Sequence, residues 1–193
     1  MKAILISIKP KYVADILNGK KTIEIRKTAP NCDLPIDVYI YCTKGKPRAI
    51  MTDKGCVVAN TLEVGGNSQY KSGYSCSGGV VAKFTLNKVE EIEIVYSQEN
   101  EFGGYSESYR TKTLSTNELL NKSQLDYFEL SEYLKDYTPF GYAWHISNLV
   151  IFDEPKELSE FTVSKTFMPK TKPLTFKHKL TKSPQSWGYV EEE

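Results

Sequence analysis

Residues 3–8, AILISI, are apolar on both faces apart from Ser7, the pattern of a strand covered on both sides. Pro10 suits a first helical turn, where its missing N–H has no intrahelical partner to lose. Val13, Ile16 and Leu17 then recur at the spacing of one helix face, and Gly19 can take the left-handed conformation that closes a helix. Over residues 22–26 the period changes to two, with Ile23 and Ile25 on one face and Thr22, Glu24 and Arg26 on the other. The pattern predicts a helix over 10–18 and a strand after it. That strand carries an acid and a base about 7 Å apart, and Lys20 and Lys21 sit in the turn before it.

Further along, residues 30–35 read as a turn-rich link and 36–42, IDVYIYC, as a strand. Residues 44–79 hold seven glycines among Ser, Asn and Lys, Gly45 and then Gly55, Gly65, Gly66, Gly73, Gly78 and Gly79. They predict a long excursion with one or two short strands near 49–51 and 56–58, and structureless excursions of that length are usually functional or mobile. Residues 80–95 read as extended, with a turn or bulge near Asn87-Lys88, and polar residues 98–112 as a second surface loop. The main helical region is 115–137, where Ser115 or Thr116 caps a first short helix and Ser123 a second. Leu125, Phe128, Leu130, Tyr133 and Leu134 form its imperfect apolar stripe, and Pro139 and Gly141 end it. Residues 142–152 return to β, and Pro155 opens a short helix. The mixture defines an α+β class.

Charge narrows the list of partners. With 25 basic and 24 acidic side chains the net charge is +1, which argues against gripping a long duplex but not against a short strand or one nucleotide. Two places depart from this balance. Lys44, Lys46 and Arg48 surround Pro47, as a solvated loop or as a phosphate contact. Lys165, Lys170, Lys172, Lys177, Lys179 and Lys182 fall within 163–182 with no acid, as a solvated arm or a nucleic-acid contact. Thirteen tyrosines suit half-buried sheets, and their rings can also stack on bases.

Cys32, Cys42, Cys56 and Cys76 are spaced too widely for a C-x-x-C motif, so reduced, non-ligating thiols in a cytoplasmic protein are expected. His145 and His178 form no metal motif, no phosphate-cradling glycine loop occurs, and neither metal nor cofactor is expected. No apolar run approaches the roughly 18 residues of a membrane span. Trp144 and His145 are neighbours on one strand and therefore oppose each other. Trp144 reads as core or as a stacking wall, and His145 as a hydrogen-bonded structural histidine. Trp187 reads as a cover for the site or a staple for the C-terminal segment.

Gly19-Lys20-Lys21-Thr22-Ile23-Glu24-Ile25-Arg26 matches the motif G-x-K-x-x-E-x-R at every defined position, and here the chain resembles the ASCH domain family. ILISIKPKYVADILNG before the motif, VVAKFTLNKVEEIEI at 80–94, YAWHISNLVIFDEPKELSEF at 142–161 and PQSWGYVEE at 184–192 are similar too, so the resemblance spans almost the whole chain. It implies one domain over 1–193, a closed PUA-like mixed β-barrel of five to seven strands flanked by short helices, with the motif facing a cleft. It implies a ligand site of Lys20, Lys21, Glu24, Arg26, Trp144 and Trp187 for RNA, single-stranded nucleic acid or a nucleoside-like small molecule. Spacing alone would make Glu24 and Arg26 an exposed ion pair of little energetic weight. In a cleft, Arg26 can fork onto an oxyanion or a carbonyl edge, Lys21 supplies a point charge, and Glu24 accepts from an exocyclic amine or orients Arg26.

The resemblance also carries an enzymatic alternative. Some proteins similar to ASCH domains are amidohydrolases that cleave N4-acetylcytidine with a lysine in this loop, a threonine three residues on and a glutamate from a later strand. Lys21 matches the lysine and Glu24 stands in place of the threonine, while Thr22 belongs to an earlier position. In the later strand Lys83 holds the corresponding place, with Glu90 and Glu91 beyond it. The catalytic candidates are thus Lys21 and Glu24, acting on an N4-acylated cytidine or a related small amide. A carboxylate near a developing oxyanion raises the barrier by about 3–4 kcal/mol, as losing one oxyanion donor would. Binding is therefore the primary reading. A third is a regulatory interaction domain of phage or mobile-element type.

Overall fold

A computed structural model describes residues 2–60, 73–98, 105–135, 141–167 and 174–192. The chain opens with β1 (Lys2–Ile8), α1 (Pro10–Leu17), β2 (Ile23–Arg26) and β3 (Ile36–Cys42). The glycine-rich stretch holds β4 (Arg48–Thr52), β5 (Gly55–Ala59) and β6 (Tyr74–Ser75). Then come β7 (Val80–Glu91), β8 (Glu93–Gln98), β9 (Tyr105–Arg110), α2 (Thr116–Ser123) and α3 (Tyr127–Leu134). The chain continues through β10 (Tyr142–Lys156), a 3-10 turn at Leu158–Glu160, β11 (Phe161–Phe167), β12 (Leu174–Lys179) and β13 (Trp187–Glu192). It divides into two compact units, one of Met1–Asn18, Ile36–Thr85 and Asn148–Glu193, the other of Gly19–Pro35 and Leu86–Ser147.

The first unit is built around β1, in the strand order β12-β11-β13-β1-β3. β1 pairs antiparallel with β13, Ala3 opposite Val190, and parallel with β3, Ile4 opposite Val38. Both edges of β1 are thus occupied, and Ile4, Leu5 and Ile6 are fully buried, as a two-sided apolar run requires. Ala3 and Leu5 share a core cluster with Tyr39, Tyr41, Val80, Phe161 and Val190. α1 buries Val13, Ala14, Ile16 and Leu17. Just beyond it, Asn18 exchanges two hydrogen bonds with the Cys56 backbone, at 2.7 and 3.0 Å, tying the helix end to β5.

In the second unit β2 pairs antiparallel with β10. Ile23, Ile25 and Ala143 face a cluster formed with Ile92, Tyr109, Leu114, Leu119, Leu130 and Leu134, so one face of β2 is roofed by α2 and α3. Both helices begin in capping boxes, Ser115 with Glu118 and Asp126 with Glu129.

Several sequence expectations change. The short strands expected near 49–51 and 56–58 are β4 and β5, but they do not stand alone: with β6 they form a three-stranded sheet; residues 61–72 lie outside the described residues. The break expected near Asn87-Lys88 falls at Ile92, whose N–H leaves the strand pattern for the Gly141 carbonyl at 2.9 Å. Residues 98–112 hold β9, which pairs antiparallel with β8; residues 99–104 lie outside the described residues. Asp126, not Ser123, caps the second helix, and Phe128 of the expected stripe is 72% exposed because only Leu130 and Leu134 of α3 are buried. Pro155 lies inside β10 rather than opening a helix. The 163–182 arm is largely the hairpin β11–β12, with residues 168–173 outside the described residues. No closed barrel forms among the described residues: β12 and β2 are terminal strands. β12 bears Lys177, His178 and Lys179, and edge charge of this kind resists further pairing.

Candidate functional site

The site begins where α2 ends. The last carbonyls of a helix lack intrahelical donors, and here the turn before β2 supplies them. Thr22 N–H donates to the Lys122 carbonyl at 2.9 Å, and Lys21 Nζ to the Ser123 carbonyl at 2.6 Å. Lys21 thereby places a cation at the negative end of the helix dipole. Gly19, at φ +72°, allows the chain to turn from α1 toward this point. β10 holds the other side, donating from Ile146 N–H to the Thr22 carbonyl at 3.0 Å.

From this anchor the β2 side chains are fixed by alternation. Ile23 and Ile25 enter the core, and Glu24 and Arg26 take the opposite face, paired in register with Trp144 and Tyr142. Glu24 lies between two cations, with Oε2 3.3 Å from Lys21 Nζ and Oε1 3.0 Å from Arg26 Nη2. Lys21, Glu24 and Arg26 are 3, 7 and 7% exposed, which corrects the expectation of a solvent-exposed pair. Each attraction is worth about 5 kcal/mol at an effective dielectric of 20. Desolvation opposes this by several kcal/mol per ion. Such a set adds little net stability when intact and is strongly destabilising to break.

Trp144 is fully buried opposite Glu24. Lys20 is exposed, one residue before the ion set. Trp187 belongs to the first unit, where it meets Tyr189 edge-on at 5.6 Å between ring centroids. Neither sequence spacing nor residue type had pointed to Ser123 as the Lys21 acceptor, because the accepting atom is a backbone carbonyl with no side-chain signature.

A second polar cluster lies on the Ile face of the same strand pair. His145 pairs with Ile23 in register and places Nε2 2.7 Å from Glu90 Oε2. Lys88 Nζ is 2.9 Å from the same oxygen, and the Thr113 and Thr111 hydroxyls and the Thr113 N–H also donate to Glu90. Burial works to raise the Glu90 pKa, but these donors outweigh it and hold the carboxyl at about 2. For His145 burial is the largest influence and keeps the ring below its ordinary value despite Glu90. With Glu90 ionised, His145 Nε2 carries a proton and donates it. Glu90 and His145 are thereby on the face opposite Glu24, while Lys83 pairs with Asp37 at 3.0 Å and Glu91 is exposed. Among the described residues no group of three or more His, Cys, Asp or Glu side chains gathers as metal ligands, and no helix is long and apolar enough to cross a membrane.

The architecture is a β-rich α+β protein with a Lys–Glu–Arg set on the strand that follows a glycine-stopped helix. The family model of the ASCH domain matches residues 6–153, and the chain belongs to that family. ASCH domains are PUA-like and in general bind RNA. Comparison with curated proteins and with solved structures finds no match.

Proposed function

We propose that the protein binds RNA, as a short single strand or a nucleotide-like piece, through the β2 strand and the turn before it. The observation that carries this reading is the position of Glu24 between Lys21 and Arg26 on a strand whose other face is locked into the core. An ion set that adds little net stability suits recognition: Arg26 supplies a guanidinium fork, Lys21 a fixed ammonium and Glu24 an acceptor. Exposed Lys20 extends the positive charge to the surface. Trp144, fully buried and in register with Glu24, belongs to the same proposal, as the packed wall behind the strand. The hydrolytic alternative draws less support, because Glu24 replaces a hydroxyl donor and Glu90 lies on the opposite face of the strand pair.

The test is calorimetric titration of the full chain with short single-stranded RNAs and with nucleosides, alongside Lys20→Glu and Arg26→Lys. Arg26→Lys keeps the charge but removes the fork, and each variant is expected to weaken binding about tenfold. Absence of binding at micromolar concentrations, or unchanged affinity in folded variants, would overturn the reading. Turnover of N4-acetylcytidine abolished by both Lys21→Ala and Glu24→Ala would replace it with hydrolysis.

A further inference from the structure

The first unit contains a concave basic site with no part in the reading above. Its cavity of about 430 Å³ is lined by Lys44, Gly45, Lys46, Arg48, Ser75 and Ser77, within the roughly 300–1,000 Å³ range of small-molecule sites. Three cations and two hydroxyls face one space, and among the described residues no acidic side chain lines it. Among the described residues Lys83, Lys88, Lys135, Lys156 and Lys177 each have a carboxylate partner, whereas Lys44, Lys46 and Arg48 have none within ion-pair distance. Concentrating three unneutralised cations within five residues is unfavourable, in a chain whose net charge is only +1.

The walls are tied together by backbone bonds. Gly78 N–H donates to the Cys42 carbonyl at 2.7 Å, Cys42 N–H to Gly79 at 3.0 Å, and Cys76 N–H to Ala49 at 2.9 Å. These bonds join the segments carrying the cations to the one carrying the serines. Gly78, at φ +97°, leaves room for the Lys44 stem, whose Cε would lie 3.0 Å from a Cβ at that position. Ser77 Oγ accepts the Ala49 N–H at 3.3 Å and retains its own proton to donate, either to the Cys42 sulfur at 3.8 Å or to an anion in the cavity.

We infer that this cavity is a phosphate-binding site, distinct from the β2 ion set. A carboxylate would neutralise one cation of the three. A phosphate group brings several oxyanion acceptors, which match an arginine fork, two ammonium groups and two hydroxyl donors. The phosphate comes either from the end of a free nucleotide or from the backbone of a short strand.

Amide chemical shifts of the full chain, titrated separately with inorganic phosphate, a nucleoside 5′-monophosphate, its unphosphorylated nucleoside and a single-stranded RNA pentamer with hydroxyl ends, test this. Phosphate-bearing probes are expected to shift residues 44–48 and 75–78, and the nucleoside to leave them unmoved. The variant Lys44→Gln/Lys46→Gln/Arg48→Gln, with its fold checked by its unfolding transition, is expected to bind at least tenfold more weakly. A response to inorganic phosphate and the monophosphate but not the pentamer assigns the site to a terminal phosphate. A pentamer response whose salt dependence becomes shallower in the variant assigns it to the strand backbone. No shift at these residues with any phosphate-bearing probe, or equal affinity in the folded variant, overturns the inference. Either result is independent of the β2 strand.

Discussion

Lys21 donates its ammonium proton to the Ser123 carbonyl at 2.6 Å, joining the turn before β2 to the end of a helix 102 residues along the chain. The same nitrogen neutralises Glu24, so one side chain both caps α2 and balances the strand's acid.

Replacing Lys21 with methionine leaves Glu24 half-compensated and the Ser123 carbonyl without its donor. The expected loss in urea unfolding at pH 7 is about 3–5 kcal/mol, the cost of breaking a buried pair. Lys88 is the comparison: its side chain is 44% exposed beside Glu90. Lys88→Met should cost no more than about 1 kcal/mol. Equal losses would mean that the β2 ion set is solvated rather than buried.

Acid should destabilise the second unit in two stages. The folded state keeps His145 below its ordinary 6.5, so from that pH downward the unfolded chain binds the proton first and stability declines. Glu90, held at about 2 against an ordinary 4.5, contributes stability that is fully present above 4.5 and lost as pH falls toward 2. Solvent access to Lys88 limits that second loss to about 2 kcal/mol. Stability curves for His145→Gln and Glu90→Gln should lack the first and second stages respectively. Both should flatten if the slopes come from these groups.

Gly141 has φ +131°, and a Cβ there would meet Leu134 Cδ2 at 2.6 Å and the Arg26 carbonyl at 3.1 Å. Gly141→Ala therefore combines backbone strain with a collision between α3 and β2, and a loss of about 2 kcal/mol is expected. Thermal unfolding checks the size. RNA affinity should fall with it if displacement of β2 disturbs Arg26.

Asp126→Ala removes the cap that accepts the Glu129 N–H at 2.7 Å. About 1 kcal/mol should be lost, with faster amide exchange over residues 127–130. Ser123→Ala should leave that exchange unchanged, because its hydroxyl donates to Leu120 within α2.

The motif strand was legible because its information is local. Alternation alone separated Ile23 and Ile25 from Glu24 and Arg26, and a proline and a glycine bounded the helix before it. What was not legible depended on distant partners. Burial of Glu24 follows from the pairing with β10 and from cations placed by tertiary structure. β9 is polar, with Tyr109 buried, and its strand character comes from pairing with β8. Ser123 and Asp126 are both good caps by type. The helix start was decided by Gln124, which adopts a left-handed conformation and ends α2 between them.

The pairing of Lys2 with Glu191 and Ile6 with Trp187 has a consequence for synthesis. At about 5–20 residues per second, β1 leaves the ribosome on the order of 10–40 s before its β13 partner exists. β3 arrives early and occupies one edge of β1, leaving the other as an open, apolar template. A nascent chain stalled before Trp187 would expose the edge carrying Ile4, Leu5 and Ile6 to strands of neighbouring chains. The time taken to translate the residues between β1 and β13 thus sets how long this edge is open to self-association.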